Sequence, residues 1–185
     1  MLTIATQYDS AILIVALVVL LTATTALGKK KVVLKYYTQQ QFGVNEFRAI
    51  QAAIPPVQGT FTGVGLEVVY NYTITKSGDP SSRVLGTIRG TSIVATNTVE
   101  ATIFVVNTVV HYDDHKKGDL TGTFTTQGEA NFGSGKPSEL AVTGGTGDFR
   151  GVFGYTIARG FKFIPPTTHS TAKVTNYYVT RLWWN

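Results

Sequence analysis

From Val32 to the C-terminus, apolar and polar residues alternate in short runs separated by turn-forming residues. Alternation with a period of two places the two kinds of side chain on opposite faces of a β-strand. No stretch after residue 28 has the apolar period of a helix. The pattern predicts an all-β domain with a surface loop over Gln40–Gly59. The eight predicted strands are Val32–Gln39, Thr60–Thr75, Val84–Val94, Val99–Tyr112, Leu120–Gly128, Leu140–Thr143, Asp148–Ile164 and Ala172–Trp184.

The segment Ser138–Ile164 carries the clearest pattern in the chain. Its Gly144–Gly147 corner allows positive φ angles, which favours a tight hairpin between a short strand and a long one. One face of the long strand is bulky and aromatic, and the other is small or charged. Glycines at 151, 154 and 160 within it are typical of bends in a closed barrel. The aromatic face carries Phe149, Gly151, Phe153, Tyr155, Ile157, Arg159, Phe161 and Phe163.

These features together predict one domain, folded as an eight-stranded antiparallel β-barrel. A chain of 185 residues with 43% hydrophobic content is long enough for one well-packed core. It contains no cysteine, so neither a disulfide nor a thiolate nucleophile is available. Closure of the sheet removes exposed strand edges, which protects a β-domain without disulfides from aggregation.

The predicted strand Val99–Tyr112 is apolar on both faces. A strand of this kind has to be covered on both sides. In a barrel of one layer, the outer cover is either another subunit or an added loop. The pattern therefore predicts a homo-oligomer.

Residues Ala11–Leu21 form an uninterrupted apolar run, and small and hydroxyl residues follow it up to Gly28. This order is typical of a secretory signal peptide cleaved after Gly28, which leaves residues 29–185 as the mature domain. The first ten residues contain no base, whereas Lys29–Lys31 follow the run. Under the positive-inside rule, this arrangement favours the alternative of a retained membrane anchor. The apolar run is short for the ~20 residues that span a bilayer.

The chain has a formal net charge of +5, and loss of the signal peptide would make it more basic. A basic exported protein can associate with acidic cell-wall polymers, although the charge also serves ordinary solubility. No metal site is predicted, because His111, His115 and His169 lie far apart in sequence or on a loop. Scattered bases and export speak against nucleic-acid binding. No nucleophile with a neighbouring base and acid is visible.

Two motifs resemble those of plant dirigent proteins. The stretch Gly144–Arg150, which reads Gly-Gly-Thr-Gly-Asp-Phe-Arg, and the following Gly154-Tyr155 are similar to that family's signature. The stretch Asp79–Gly86, followed by Arg89-Gly90, is similar to its Asp-Pro-x-Ser-x-x-x-Gly segment. The resemblance runs from about Val32 to the C-terminus.

The resemblance implies a barrel that holds phenoxy radicals and fixes the face on which they couple. A separate laccase or peroxidase would make the radicals from monolignols such as coniferyl alcohol, in lignan or other phenolic biosynthesis. The protein would supply geometry, without a cofactor or an oxidative centre of its own. Family members are trimers, so a secreted homotrimer in the apoplast or cell wall is expected.

Two alternatives stay open beside this interpretation. Ala141–Gly145 and Gly151–Gly154 also resemble allene oxide cyclases, which belong to the same superfamily. This likeness implies an isomerase that acts on an oxidised fatty acid. The other alternative is a ligand-binding barrel without a reaction. Export favours the phenolic hypothesis, because allene oxide cyclases work in plastids and would carry a transit peptide rich in Arg and Ser.

The implied chemistry requires flat apolar walls that stack an arene, with a polar group to hold a phenol or to protonate a quinone methide. The sequence departs from the family pattern where Asn71-Tyr72 replaces an acidic pair and where Phe153 replaces an arginine. Arg159 inside the pocket and Asp148 at the barrel mouth are the candidate catalytic residues; a structural salt bridge is the alternative for both. The candidate substrate-binding residues, for which a packed core is the alternative, are Tyr70, Tyr72, Phe153 and Tyr155.

Asn71-Tyr72-Thr73 is the one N-glycosylation sequon in the chain. A glycan on Asn71 has to face outward, which by strand alternation would turn Tyr70 and Tyr72 inward. The same alternation excludes a glycosylated Asn71 from the pocket lining.

The N-terminal assignment predicts that a secreted product begins at Lys29. Expression in a secretory plant host, followed by N-terminal sequencing and intact-mass measurement, tests it. A product that keeps residues 1–28 and sediments with membranes would support the anchor instead.

Overall fold

The computed structural model describes residues 30–52, 63–97, 102–114, 120–131 and 136–184. The predicted signal peptide lies outside these ranges. Within them, no helix is long and apolar enough to cross a membrane. The described strands belong to one antiparallel sheet. The strands are β1 (Lys31–Gln41), β2 (Glu46–Ile50), β3 (Glu67–Thr75), β4 (Val84–Asn97), β5 (Thr102–Asp114), β6 (Leu120–Asn131), β7 (Ser138–Gly147), β8 (Val152–Ile164) and β9 (Lys173–Trp184).

The sheet closes into an eight-stranded barrel. Neighbouring strands follow the order β1-β9-β8-β7-β6-β5-β4-β3, and each adjacent pair is antiparallel. The circle is completed where β1 pairs with β3, with Tyr37–Gln39 opposite Thr73–Thr75. The predicted all-β, eight-stranded antiparallel barrel is therefore confirmed.

Strand β2 lies where the sequence predicts a surface loop, so this part of the prediction is wrong. It pairs with β3 beside the β1–β3 contact, and β1 and β2 thus share one edge of β3. The Asn45 side chain holds the turn between them. Its Oδ1 accepts a hydrogen bond from the Gln41 amide at 2.8 Å, and its Nδ2 donates to the Gln39 carbonyl at 2.9 Å. These local hydrogen bonds favour a tight turn over a wide excursion.

The Gly144–Gly147 segment belongs to strand β7 and does not form the predicted hairpin corner. Gly144 and Gly145 pair with β6, and the chain reverses at residues 148–151. Close packing requires glycine at 145, because a Cβ there would lie 2.5 Å from the carbonyl oxygen of Phe149. The diglycine therefore allows the turn to fold back over the sheet.

From Val152 to Ala158, strand β8 turns its small residues to the interior and its aromatic residues outward, the reverse of the predicted aromatic lining. After the register shift between Gly160 and Lys162, Phe161 and Phe163 line the cavity. Val152, Thr156 and Ala158 are buried, whereas Phe153 and Arg159 are exposed. The predicted alternation of small and aromatic residues is correct, but side-chain volume decides which of the two faces turns inward. Large side chains from β1, β5 and β6 and from the β7–β8 turn occupy the interior, and the small face of β8 leaves space for them.

One end of the barrel interior is a packed core. The rings of Tyr112 and Phe149 meet edge to face at 6.2 Å, and the Phe124 ring lies 5.3 Å from Phe149. A 2.6 Å ion pair joins Arg83 to the buried Asp114 near this end. Full burial of a large apolar side chain contributes about 1.5–3 kcal/mol. Fully buried side chains in the core include Leu34, Tyr36, Ile74, Leu85, Val110, Phe124, Phe149 and Leu182.

The close approach at Gly145 predicts that Gly145→Ala lowers the free energy of unfolding by about 2–4 kcal/mol, since the added Cβ meets backbone oxygen atoms. Gly160→Ala is the matched control, because a Cβ there would have no heavy atom within 4 Å. Its effect should stay below about 1 kcal/mol. Denaturant unfolding followed by tryptophan fluorescence measures both changes. Equal effects of the two substitutions would contradict the packing role of Gly145.

Candidate functional site

The end of the barrel opposite the packed core holds a cavity of about 910 Å³. It lies between the last residues of β1 and β8, the first residues of β5, β7 and β9, strand β4, and the β2–β3 pair. This volume falls at the upper end of the ~300–1,000 Å³ of small-molecule sites. In the described part of the chain, no group of three or more His, Cys, Asp or Glu residues could hold a metal ion. The aliphatic part of the wall comprises Leu66, Val68, Ile88, Val106 and Leu140.

Three tyrosines line the cavity, and phenylalanines lie beside them in the wall and at its rim. Tyr70 and Tyr72 lie on the same face of β3, with ring planes 4° apart and centroids separated by 4.6 Å. Tyr178 of β9 also lines the cavity, and it stacks on the buried Tyr36 at 5.3 Å. Ring pairs of this kind contribute about 0.5–1.5 kcal/mol beyond their burial. Because Tyr70 and Tyr72 stack on each other, each ring leaves its other face and its edge for contact with a ligand ring.

Glu46 places a carboxyl group in this cavity. It begins β2, lies opposite Tyr70 in the strand register, and is 6% exposed. Its Oε2 accepts hydrogen bonds from the Tyr72 hydroxyl and from Nε2 of Gln40. Burial raises the pKa of Glu46, against the lowering effect of these two hydrogen bonds. Because Oε2 accepts both, Oε1 is the oxygen left to carry a proton.

The phenol groups near Glu46 are held in their neutral form. Burial raises the pKa of Tyr70 and Tyr72 above the usual range, and the charge of Glu46 adds to the rise at Tyr72. Burial also raises the pKa of Tyr178 to about 12. Neutral phenols present uncharged rings and hydroxyl donors. The inner part of the cavity is thus suited to an uncharged aryl group.

The structure brings together two of the four predicted substrate-binding residues. Tyr70 and Tyr72 line the cavity, where the prediction places them. Phe153 and Tyr155 lie on the outer face of β8, with ring centroids 6.1 and 5.8 Å from that of Trp183. Their expected place inside the barrel is wrong, because the small face of β8 is the one turned inward.

The predicted catalytic residues, Asp148 and Arg159, lie away from the cavity. Arg159 is exposed on the outer face of β8, so its expected place inside the pocket is wrong. Asp148 lies in the β7–β8 turn at the packed end, where its Oδ2 accepts a hydrogen bond from the Thr121 amide at 2.8 Å. Its carbonyl oxygen accepts another from Nε1 of Trp184 at 3.0 Å. Both catalytic roles stay untested predictions, but these contacts assign Asp148 to the turn.

Asn71 lies on the outside of β3, where a glycan would be accommodated. It is exposed, and its Oδ1 accepts a hydrogen bond from Nε of Arg89 at 3.3 Å. Its neighbour Tyr72 points inward, as the alternation predicts. Glycosylation of the sequon stays a prediction.

The outer surface of β3, β4 and β5 carries partly exposed apolar residues. Val69, Ile93 and Val109 are each 37–38% exposed, whereas Val106 and Val110 on the other face of β5 are buried. The apolar character of both faces of β5 agrees with the sequence interpretation. The homotrimer inferred from it stays a prediction.

Glu46 is the site residue that the sequence interpretation missed. It is the only acidic residue between Lys31 and Leu66, and it stands within the predicted loop. The signal that could have found it is the short alternating stretch Glu-Phe-Arg-Ala-Ile, which forms β2.

The structure is a closed β-barrel with a cavity and a buried acid. The sequence profile described as "Dirigent-like protein" matches residues 32–180. The chain therefore belongs to the dirigent family, as its two motifs indicate. None of the curated proteins compared with the sequence matches it.

Solved structures of similar fold include two dirigent proteins. The pterocarpan synthase dirigent protein PsPTS1 is 19% identical, with a TM-score of 0.67 over 84% of this chain and 97% of the other. The pterocarpan synthase dirigent protein GePTS1 is 16% identical, with a TM-score of 0.67 over 85% and 92%. A pyocyanin demethylase is 14% identical, with a TM-score of 0.53 over 81% and 99%. At these identities the likeness shows the fold alone.

The buried carboxyl group predicts that stability depends on pH through Glu46. Since folding raises the pKa of Glu46 from its ordinary value of 4.5, the folded chain holds this proton more tightly than the unfolded chain. The contribution of Glu46 to the free energy of unfolding should therefore be largest below that value and should fall as the pH rises through the pKa in the folded state. Glu46→Gln should remove the part of the decrease in stability that the Glu46 carboxyl group causes.

Denaturant unfolding between about pH 4 and pH 8 measures the effect. The exposed Glu139 on β7 offers the matched control, and Glu139→Gln should keep the wild-type profile. Identical pH profiles for Glu46→Gln and the wild type would show that Glu46 is not the buried acid described above.

Proposed function

We propose that this barrel binds phenoxy radicals, or the quinone methides that they form, and directs the stereochemistry of their coupling. A separate laccase or peroxidase supplies the radicals, with coniferyl alcohol as a representative monolignol in lignan or related phenolic biosynthesis. The observation that carries the proposal is the position of Glu46 against the stacked Tyr70–Tyr72 pair within the cavity.

The stacked tyrosines provide the means of stereocontrol. A ring that stacks on the free face of one of these tyrosines is covered on one side, so that a second radical can approach it only from the other side. Holding two reactants in one orientation also removes much of the entropic cost of their encounter. The cavity volume of about 910 Å³ is sufficient for a coupled pair of small phenols.

Glu46 supplies a proton-transfer step after coupling. Two radicals form a C–C bond and leave quinone methides, each with an electrophilic methide carbon and a carbonyl oxygen. When a hydroxyl group of the coupled molecule attacks the methide carbon, a C–O bond forms and Glu46 protonates the carbonyl oxygen. The hydroxyl proton then restores the carboxyl group. The raised pKa of Glu46 favours the protonated form that this step requires.

The likeness to two pterocarpan synthase dirigent proteins is consistent with a synthase-type role for such a barrel. Export, a glycan on Asn71 and assembly as a homotrimer belong to the same proposal. They are supported by the apolar N-terminal run, the outward sequon and the apolar outer surface of β3–β5.

The second candidate is an isomerase that closes a ring in an oxidised acyl chain. The aliphatic wall of Leu66, Val106 and Leu140 favours it, because an acyl chain would pack there. Glu46 could protonate an acyl substrate as well as a phenolic one. A binding barrel without a reaction explains less, since binding alone does not require a buried acid that begins a strand at the cavity wall.

The coupling assay with coniferyl alcohol and a laccase tests the proposal. The wild-type barrel should give an enantiomeric excess of one lignan, measured by chiral chromatography, over the racemic mixture formed without it. Glu46→Gln should keep the binding of the phenol and slow the ring closure of the bound quinone methide about 10²-fold or more, as expected for loss of a general acid, so that the product approaches the racemic mixture formed without the barrel. Glu139→Gln, on the outer face of β7, should behave as the wild type.

A racemic product from the wild-type barrel would overturn the phenolic assignment. Loss of stereoselectivity in Arg159→Gln together with full activity in Glu46→Gln would return the catalytic role to Arg159. Conversion of an epoxidised fatty acid, without any effect on phenol coupling, would support the isomerase.

A further inference from the structure

Basic residues surround the mouth of the cavity. Arg48 on β2, Lys136 before β7 and Lys162 on β8 all line the cavity, and all are exposed. Among the described residues, Glu46 is the only acidic residue that lines it, and burial raises the pKa of Glu46. The described lining therefore has a net positive charge. This charge lies at the rim and not at the part of the wall formed by Tyr70, Tyr72 and Tyr178.

Arg48 and Lys162 form no salt bridge within the described residues. Asp79 lies near enough to Lys162 to act on it as an opposite charge, although no salt bridge joins the two, so it offsets part of the positive charge on one side. Phe42, Phe47, Phe161 and Phe163 are 41–62% exposed and line the same rim. The rim thus combines apolar surface with cations, and the interior below it is apolar and aromatic.

This arrangement has a definite physical consequence for a ligand. A cleft whose low-dielectric walls carry charge of one sign concentrates counter-ions of the opposite sign. The uncharged inner wall favours an apolar or aryl body, because a charge placed there would lose its hydration. A ligand with both parts would leave its charge at the rim, within reach of guanidinium and ammonium groups, and would insert its body toward Tyr70 and Tyr72.

We propose that the cavity selects ligands that carry a carboxylate at one end, and that Arg48 and Lys162 recognise this group at the mouth. This inference rests on the proposed function, since it narrows the substrate class of the same cavity. The shared chemistry is an apolar body with a terminal carboxylate. Its source is either an aryl-propenoic acid or a fatty acid.

Two matched pairs of probes test the proposal by isothermal titration calorimetry at pH 7. Ferulate carries a carboxylate where coniferyl alcohol carries a hydroxymethyl group, and linolenate and linolenyl alcohol differ in the same way. We expect the carboxylate of at least one pair to bind about tenfold more tightly than its alcohol at low salt. This preference should shrink as the ionic strength rises toward ~1 M, because salt screens exposed charges.

The double variant Arg48→Gln/Lys162→Gln should abolish the preference and leave the affinity for the alcohols unchanged. The control double variant Lys35→Gln/Arg150→Gln removes the same two kinds of charge, at exposed positions outside the cavity lining. It should keep the preference.

Each outcome of the comparison decides between the proposals. Equal affinities within both pairs, or a preference that survives Arg48→Gln/Lys162→Gln, would overturn the carboxylate inference. A preference in the acyl pair alone keeps the inference and favours the isomerase over phenolic coupling. A stereoselective coupling assay with equal binding of ferulate and coniferyl alcohol keeps the proposed function while the inference fails.

Discussion

The site depends on how the barrel closes along one edge of β3. In the described residues, β1 pairs with that edge over three residue pairs, and β2 takes the remaining length from Glu67 to Tyr70. Because β2 fills the edge at the open end, its first residue lies beside the tyrosines of β3. The hydrogen bond from Tyr72 to Glu46 then joins the two strands across the cavity wall. A β1–β3 contact along the full strand would leave no place for this acid.

One end of the barrel interior is packed, and the other end holds the cavity. The rings of Tyr112, Phe124 and Phe149 pack at one end, while Tyr70, Tyr72 and Tyr178 face a cavity at the other. A core packed along the whole barrel would be more stable, since each large buried side chain contributes about 1.5–3 kcal/mol. The end that holds the cavity lacks part of this stabilisation and also buries the carboxyl group of Glu46. Such local costs are typical of functional sites.

Much of the fold could be predicted from the sequence, because strand alternation and glycine placement are local signals. The eight barrel strands, the inward direction of Tyr70 and Tyr72, and the outward direction of Asn71 follow from a period of two. The two glycine-containing motifs identified the family, which the match over residues 32–180 confirms. These features require no knowledge of which residues are neighbours across the barrel.

The inward face of β8, the role of the diglycine and the position of Glu46 depend on side-chain volume and on pairing between distant strands. The sequence pattern contains neither. Alternation could not show which face of β8 turns inward, so Phe153, Tyr155 and Arg159 were expected in the cavity. The diglycine at 144–145 was interpreted as a corner, whereas it allows a turn to pack over the sheet. Glu46 was missed because β2 is only five residues long and its role depends on β3 as a partner.

The central claim is that a ligand binds against Tyr70 and Tyr72 beside Glu46, whose pKa is raised by burial. Carbon-13 NMR of protein labelled at the glutamate carboxyl carbons, assigned with Glu46→Gln, tests it most directly. The account predicts that the Glu46 resonance titrates above the ordinary carboxyl range and shifts when a phenol fills the cavity. A resonance that titrates as an exposed glutamate and does not respond to the phenol would contradict it.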